Sequence, residues 1–437
     1  MSSSSIRRAY AGLAAGAALS LALTGCGVGG GGDADSGDAD TSGKIAGKIT
    51  FQTWNLKGSY KKYFEGLVDA FEKKHPGTTV KWVDQPAEGY QEKLSADAAA
   101  GNLPDVVDMG PEAARTLARA GTLLNVAKDD PKAEKAYQPA AWKAMTFEDT
   151  KGGTYGYPWY LNTGPSFFNT ALFEKCGLDP KKLPKTYDEL FDQAAVMSKN
   201  CGDKGISMIG RVPTIETFGM YGAQLMNEDG TKFTFNDAKG VELVKRYQKL
   251  YAKAGLTKES LNALQTGEAG SFKSGELGWL PGSSYTLSDL KKSAPKVAKT
   301  VAMGPLIANT SPNMYIESLV VNSKSKNTAT AKAFAKFVTN EKNQLTFAKA
   351  ANVFPSTAGT LDQPYYTKND GTAEGKLRTE SAAQVGKSVV WWPPAFSGTS
   401  DVENLREEIA KALLGKESAK QALDNAVKYS TDRLAKQ

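Results

Sequence analysis

Three strand-like segments that alternate with helical segments open the globular part of the chain and most constrain its fold. The strand-like patterns cover Lys48–Trp54, Thr78–Asp84 and Asp105–Met109. Helical patterns occupy 60–75 and 90–100 between them, and a further one begins at Pro111. The order βαβαβα predicts a parallel sheet covered by helices on both faces.

Side chains suited to hold a polar, ring-shaped ligand stand at the carboxyl ends of these three predicted strands. They are Trp54, Asn55, Asp84, Gln85, Asp108, Met109 and Gly110. Ligands of parallel sheets bind beyond the carboxyl ends of the strands. We therefore expect a binding site where the three ends meet.

Size and charge exclude some classes of protein. The chain has 437 residues, which is long enough for two or three domains with cores, and 41% apolar with 23% charged residues is typical of a soluble globular protein. The net charge of +7 is spread over interspersed acidic and basic residues. Since no basic stripe carries base-stacking rings, nucleic acid is a poor partner.

The counts of histidine and cysteine exclude several chemistries. His75 is the single histidine and precedes Pro76 at a helix end, where a C-terminal role suits it better than a catalytic one. Hydrolases with a Ser-His-Asp or Cys-His arrangement need a histidine beside the nucleophile. With three cysteines and one histidine, zinc sites are also disfavoured, and we expect no metal and no cofactor.

The first 45 residues are typical of export and anchoring. Arg7 and Arg8 precede an uncharged apolar run over 9–23 that is too short to span a bilayer, as in a secretory signal. Residues 23–26 resemble a bacterial lipobox, which implies a signal peptide over 1–25 and lipid modification of Cys26. An ordinary signal peptide and twin-arginine export are the alternatives. The Gly/Asp-rich segment 26–45 is predicted to be a flexible tether.

A cluster of aromatic rings marks the segment 154–169. Tyr155, Tyr157, Trp159 and Tyr160 stand within six residues, and Pro158 stiffens the backbone between them. We interpret the segment as the place where the chain leaves one globular unit and enters a second. The rings can instead be core, a reading that suits Tyr155 and Phe167 better than Trp159 and Tyr160.

From about residue 46 to the C-terminus the chain resembles the extracellular solute-binding proteins, family 1, of carbohydrate ABC importers. The resemblance is carried by the segments 101–110, 156–169 and 184–190, the last of which also reads as a capping box with Thr186 and Glu189. It implies an α/β fold of the periplasmic-binding-protein type II, with two lobes, each with a mainly parallel sheet flanked by helices, joined by a multi-strand hinge. One departure is Asn313, Met314 and Tyr315, where the family usually has a Gly-Gly pair.

The resemblance also implies the domain division and the function. The first lobe is expected over 46–157 plus 316–354, and the second over 158–315 plus 355–437. The protein is expected to be a lipid-anchored monomer on the extracellular face of the cell membrane. It would not be an enzyme, and would capture a mono- or oligosaccharide for the permease subunits of an ABC transporter.

A sugar presents apolar C–H faces and a rim of hydroxyl groups, so we expect aromatic rings for the faces and polar groups for the rim. The stacking candidates are Trp54, Trp159, Tyr160, Trp279, Trp391 and Trp392. The other candidates are Asp84, Gln85, Asp108, Met109, Glu216, Gly282, Ser283, Asn313, Tyr315 and Glu317. Ser284 and Tyr285 extend the predicted 282–285 turn. Any one tryptophan can instead be core, and any one glutamate can simply be solvated.

Cys176 and Cys201 are an even pair outside the cytoplasm, which favours a disulfide, with two buried thiols as the alternative. Three other functions stay open at this point. A secreted glycoside hydrolase would use paired carboxylates such as Asp108 and Glu317. A binder of another solute, such as ferric iron at Tyr365 and Tyr366, and a cell-surface adhesin are the other two.

Overall fold

The computed structural model describes residues 41–436, apart from 258, 263, 264, 284, 285 and 397. The predicted signal peptide, Cys26 and the tether as far as residue 40 lie outside the described residues, as do Ser284 and Tyr285. Among the helices of the described ranges, none combines the length and the apolar character that a membrane crossing requires.

The secondary-structure elements of these ranges are numbered in chain order. Strands β1 to β11 are Gly47–Trp54, Thr78–Gln85, Val106–Met109, Thr146–Phe147, Gly153–Thr154, Tyr157–Asn162, Ser166–Asn169, Trp279–Pro281, Val301–Gly304, Tyr315–Val321 and Phe354–Pro355. Helices α1 to α9 are Lys57–Lys74, Tyr90–Ala99, Pro111–Arg119, Val126–Asp129, Pro139–Ala144, Thr170–Lys175, Tyr187–Cys201, Ile215–Tyr221 and Ala238–Tyr251. Helices α10 to α18 are Gln265–Lys273, Thr286–Ser293, Pro295–Ala298, Thr328–Val338, Glu341–Ala351, Pro364–Thr367, Ala373–Val385, Thr399–Leu413 and Ala419–Leu434.

The larger sheet has six strands in the order β11-β6-β10-β3-β1-β2. Strand β1 pairs in parallel with β2 and with β3, as the βαβαβα pattern predicts. Strand β10 then runs antiparallel between β3 and β6, and β11 adds an antiparallel edge. Three later strands, β6, β10 and β11, therefore extend the predicted parallel sheet.

Helices cover this sheet on both faces because successive residues of a strand point to opposite sides. Val106 packs in one apolar cluster with Phe64 and Phe71 of α1. Its neighbour Val107 packs in another cluster, with Leu94 of α2 and Leu117 of α3. Each face of the strand is therefore buried against a different set of helices, as in doubly covered α/β sheets.

The smaller sheet has three strands in the order β8-β7-β9, and both of its strand pairs are antiparallel. This differs from the mainly parallel sheet expected for the second lobe. The difference arises because β7 carries the chain away from the larger sheet, while β9 leads it back through residues 305–314 to β10. Helices α7, α9, α17 and α18 supply a large part of the apolar cluster beside this sheet.

The chain passes between the two sheets at residues 163–165 and 305–314. Strand β6 precedes the first passage and pairs with β10, so it lies in the larger sheet. The predicted boundary between residues 157 and 158 falls at the start of this strand. The pairing of β6 favours a boundary after Asn162.

Two local predictions are confirmed. Cys176 and Cys201 are joined by a disulfide that ties the end of α6 to the end of α7. Thr186 and Glu189 form a reciprocal capping box at the start of α7, in which the Thr186 hydroxyl accepts from the Glu189 N–H at 3.2 Å. Both features stabilise the helix that packs against the smaller sheet.

The sequence predicts Asp84 at the rim of the ligand, but the hydrogen bonds of its carboxylate give it a structural role instead. Its Oδ1 accepts from the Thr53 hydroxyl at 2.6 Å and from the Leu56 N–H at 3.1 Å. Its Oδ2 accepts from the Lys57 N–H at 2.9 Å. Because the first N–H groups of a helix lack intrahelical partners, Asp84 acts as the cap of α1.

Replacing Asp84 with alanine should therefore lower the free energy of unfolding by about 1–2 kcal/mol, the usual cost of losing a helix cap. Denaturant unfolding at neutral pH measures this change. Asp69→Ala on the exposed surface of the same helix is the matched control and should cost much less. Equal stability of the Asp84 variant and the control would contradict the capping role.

Candidate functional site

A cavity of about 410 Å³ lies at the carboxyl ends of β1 and β3. Five of the predicted site residues line it: Trp54, Met109, Tyr315, Glu317 and Trp392. The ring of Trp54 packs against Tyr90 of α2 with centroids 6.1 Å apart. The strand-end rule therefore located this cavity correctly.

A second cavity of about 400 Å³ lies beside the smaller sheet. Six predicted residues line it: Glu216, Trp279, Gly282, Ser283, Asn313 and Tyr315. Since Tyr315 lines both cavities, the two spaces meet at its side chain. Together they form a cleft between the two sheets, which we call the Tyr315 cleft.

Tyr315 opens strand β10 and is 53% exposed, although it is a large aromatic residue. Its hydroxyl donates to Glu216 Oε1 at 3.4 Å, which links β10 to helix α8. Although much of the side chain is exposed, loss of solvent around its hydroxyl, followed by the Glu216 carboxylate, raises the pKa of Tyr315, so the hydroxyl stays a neutral donor. The Gly-Gly pair expected here by resemblance is thus replaced by a residue that reaches across the cleft.

Close backbone contact shapes the floor of the second cavity. A Cβ atom placed on Gly164 would lie 1.9 Å from the carbonyl oxygen of Gly282. The passage at 163–165 and the 282–283 turn can approach this closely because both residues are glycine. Trp279 is nearly buried beside them, and its indole N–H donates to Ser166 Oγ at 3.0 Å.

An ion pair that sequence reasoning missed lies in the wall of the second cavity. Arg211 Nε donates to Glu268 Oε2 at 2.8 Å, and the Glu268 side chain is 1% exposed. Burial alone would lower the pKa of Arg211. The carboxylates of Glu268 and Glu216 together have the larger effect, so the pKa of Arg211 is raised overall. The two partners are 57 residues apart, and no local motif marks either of them.

Glu317 lines the first cavity, and a second buried carboxyl group, Asp108, lies next to it without lining either cavity. Burial, followed by the nearby Glu317 carboxyl group, raises the pKa of Asp108 well above its usual value. Burial likewise raises the pKa of Glu317 to about 8. Apart from the adjacent Glu317 carboxyl group, neither oxygen of Asp108 has a donor among the described residues. The pair therefore holds a proton near neutral pH, because two adjacent buried carboxylates repel each other.

Two other predicted aromatic residues, Trp159 and Tyr160, pack against neighbouring side chains and line neither cavity. Trp159 is fully buried and stacks on Phe347 with centroids 5.1 Å apart, so it belongs to the core and not to the cleft. Tyr160 packs edge-on against Trp159 at 5.0 Å and lies within electrostatic reach of Asp108, but it lines neither cavity. These positions correct the expectation that the rings of 154–169 face a ligand.

Trp391 and Trp392 are adjacent, yet they face different surroundings. Trp391 donates its indole N–H to the Ser311 carbonyl at 2.7 Å and covers Gly219, where a Cβ would meet its ring at 2.4 Å. It lines a third cavity of about 430 Å³ together with Arg115 and Val390. Trp392 lines the first cavity instead.

Asn313 lines the cleft, whereas Gln85 does not. Asn313 is 1% exposed and lines the second cavity, and its Oδ1 accepts from the Trp391 N–H at 2.9 Å. Gln85 donates to Gln52 Oε1 at 3.5 Å and lines neither cavity, which places it outside the cleft.

The first cavity has further lining residues that the sequence did not indicate: Tyr90, Gln91 and Glu112. They come from the first turns of α2 and α3, directly after the predicted strand ends. Their positions in the sequence did indicate them, because helices that follow the strands of a parallel sheet begin at the edge of the sheet where ligands bind.

Comparison with known proteins gives the family. A family model described as bacterial extracellular solute-binding protein matches residues 57–345. The diacetylchitobiose binding protein DasA of Streptomyces coelicolor is 24% identical over 403 residues, which cover 88% of this chain and 92% of DasA. The galactooligosaccharide-binding protein of Bacillus subtilis is 25% identical over 392 residues, covering 84% and 85%.

A solved structure shares the fold. A periplasmic-binding protein from Synechococcus sp. MITs9220 superposes with a TM-score of 0.76 at 25% identity, covering 89% of this chain and 99% of that one. The family model and these relatives describe solute binding and no catalysis, which leaves the hydrolase alternative without support. With two thirds of its length matched by the family model, this chain belongs to the bacterial extracellular solute-binding proteins.

Proposed function

We propose that the protein captures a mono- or oligosaccharide in the Tyr315 cleft and delivers it to the permease of an ABC transporter. The observation that carries this proposal is the chemistry of the two cavities that meet at Tyr315. Relatives of the chain are named for binding diacetylchitobiose and galactooligosaccharides.

Both aromatic rings and polar groups line the first cavity, which is the combination that a sugar requires. Trp54, Tyr90 and Trp392 offer flat apolar surfaces, while Gln91, Glu112 and Glu317 offer hydrogen-bonding groups. A few placed polar groups in an apolar wall are typical of small-molecule sites. Tyr and Trp suit such a wall because each joins an apolar face to a polar edge.

Closure of two lobes would complete the site. The proposed lobes are the predicted 46–157 plus 316–354 and 158–315 plus 355–437, with the first boundary moved to follow Asn162. The passages at 163–165 and 305–314 would then act as hinge segments. Closure would bring Glu216 and Trp279 onto a solute held by Trp54 and Trp392, and a closed complex is the form a permease would receive.

Anchoring through Cys26 fits this role. Residues 23–26 follow an apolar signal-like run, and lipidation of Cys26 would hold a monomer at the extracellular face of the cell membrane. Mass spectrometry of the N-terminal peptide from membrane extracts tests this, since a free Cys26 thiol would contradict lipidation.

Isothermal titration calorimetry with a panel of mono-, di- and trisaccharides tests the proposed function. The panel includes diacetylchitobiose, galactobiose, maltose, cellobiose and their trisaccharides. We expect at least one of these sugars to bind with a stoichiometry of one, and reducing-end assays to show no cleavage of it. Absence of binding across the whole panel would contradict the proposal.

Replacement of Trp54 or Trp392 by alanine should weaken the affinity for that sugar at least fivefold, about 1 kcal/mol, because a stacking surface is lost. Trp159→Phe is the control, since Trp159 packs in the core and its replacement should change stability more than affinity. Unchanged affinity in both alanine variants would remove these rings from the site.

A further inference from the structure

The charges that line the Tyr315 cleft are unbalanced. Its two cations, Arg211 and Lys273, each already have a carboxylate partner. Arg211 Nε lies 2.8 Å from Glu268 Oε2, and Lys273 Nζ lies 2.7 Å from Asp289 Oδ2. An incoming anion would have to compete with these internal ion pairs for either cation.

Three further carboxyl groups line the cleft: Glu112, Glu216 and Glu317. Among the ion pairs of the described residues, none includes any of the three. Arg211 attracts the Glu216 carboxylate electrostatically, but the two groups are farther apart than a salt bridge. The short contact of Arg211 is with Glu268. Glu317 holds a proton with Asp108 near neutral pH, so Glu112 and Glu216 are the carboxyl groups that leave the cleft with more negative charge than its cations neutralise.

Glu112 lines the first cavity and Glu216 lines the second, so the two carboxyl groups belong to the two halves of the cleft. Burial raises the pKa of Glu112, and repulsion from the Glu216 carboxylate adds to this effect. Glu112 stands in the first turn of α3 beside the larger sheet, and Glu216 stands in α8 beside the smaller one. A closing cleft would increase their repulsion unless a positive group came between them.

Glu216 also offers an oxygen that the protein does not use. Its side chain is 6% exposed and lines the second cavity. Oε1 accepts from the Tyr315 hydroxyl, but Oε2 is buried without a donor among the described residues. A buried charged acceptor left without a donor is costly, so this oxygen is suited to a donor that a ligand brings.

We propose that the Tyr315 cleft selects glycans that carry a free amino group, with Glu216 Oε2 accepting from the ammonium, and that it disfavours glycans that carry a carboxylate or phosphate. This inference rests on the proposed function and narrows its substrate class. An organic ammonium suits the cleft better than a metal ion. Within the described ranges, no group of three or more His, Cys, Asp or Glu side chains is placed to hold one.

The physical reason is the strength of a charge-assisted hydrogen bond in a partly buried site. Hydrogen bonds between ionised partners are about twice as strong as neutral ones, and a buried carboxylate gains most from such a donor. A ligand carboxylate would add a like charge beside Glu112 and Glu216, which costs affinity. A neutral sugar would fall between these two cases.

Calorimetric titration of three β-1,4-linked disaccharides tests the inference. Chitobiose carries free amino groups, cellobiose carries hydroxyl groups at the same positions, and cellobiouronic acid carries a carboxylate. At about pH 6 the amines are largely protonated and the uronate is ionised. We expect chitobiose to bind at least ~10-fold more tightly than cellobiose, about 1.4 kcal/mol, and cellobiouronic acid to bind more weakly than both.

Glu216→Gln should bring the ratio of the chitobiose and cellobiose affinities close to one, because chitobiose loses more than cellobiose does. Glu92→Gln is the matched control: it removes the same charge from an exposed position that lines neither cavity, and it should keep the wild-type ratio. If the Glu216 variant does not fold, the three wild-type affinities decide the question alone.

Equal affinities for chitobiose and cellobiose, tighter binding of the uronate, or a preference that survives Glu216→Gln would each overturn the inference. Failure of all three disaccharides to bind would overturn it as well. In that case the proposed function still stands if another sugar of the wider panel binds, so the two failures are distinguishable.

Discussion

Strand β10 is the constraint on which the rest of the site depends. It runs antiparallel between β3 and β6, and its partners fix the position of each of its residues. Tyr315, Ile316 and Glu317 all line the first cavity, and Ile316 also joins an apolar cluster behind it. The register shifts between Glu317 and Ser318, a β-bulge of the kind that redirects a side chain.

This arrangement explains how one fold can support a polar site next to a dry core. Trp159 lies on β6, beside β10, and is sealed against Phe347 and Phe64. Asp108 is equally buried on β3, but it lies next to Glu317, which lines the first cavity. The rigid sheet holds the buried carboxyl pair in place, so the open side of the cleft can remain accessible to a solute.

Local patterns predicted much of the fold and many of the residues that line the candidate site. Alternation and helix breakers located β1, β2 and β3, and the strand-end rule then located Trp54 and Met109. The capping box at Thr186 and the disulfide followed from pattern and compartment. These features succeed because their physical causes act over short stretches of chain.

The features that sequence reasoning missed depend on contacts between distant segments. Arg211 and Glu268 are 57 residues apart and come into contact only in the folded chain. Asp84 caps helix α1, which precedes it in the sequence. Trp391 and Trp392 are the same type of residue, but Trp391 packs over Gly219 whereas Trp392 lines the first cavity, a difference that only the folded structure shows. Composition cannot distinguish a ring that stacks on a core residue from a ring that stacks on a ligand.

The central claim is that the two cavities on either side of Tyr315 form one solute-binding cleft. A crystal structure of the protein with a disaccharide identified by calorimetry tests it most directly. We expect ligand density in contact with Trp54 or Trp392 on one side of Tyr315 and with Glu216 on the other. A sugar bound instead in the cavity beside Arg115 and Trp391, with the Tyr315 cleft free of it, would contradict the account.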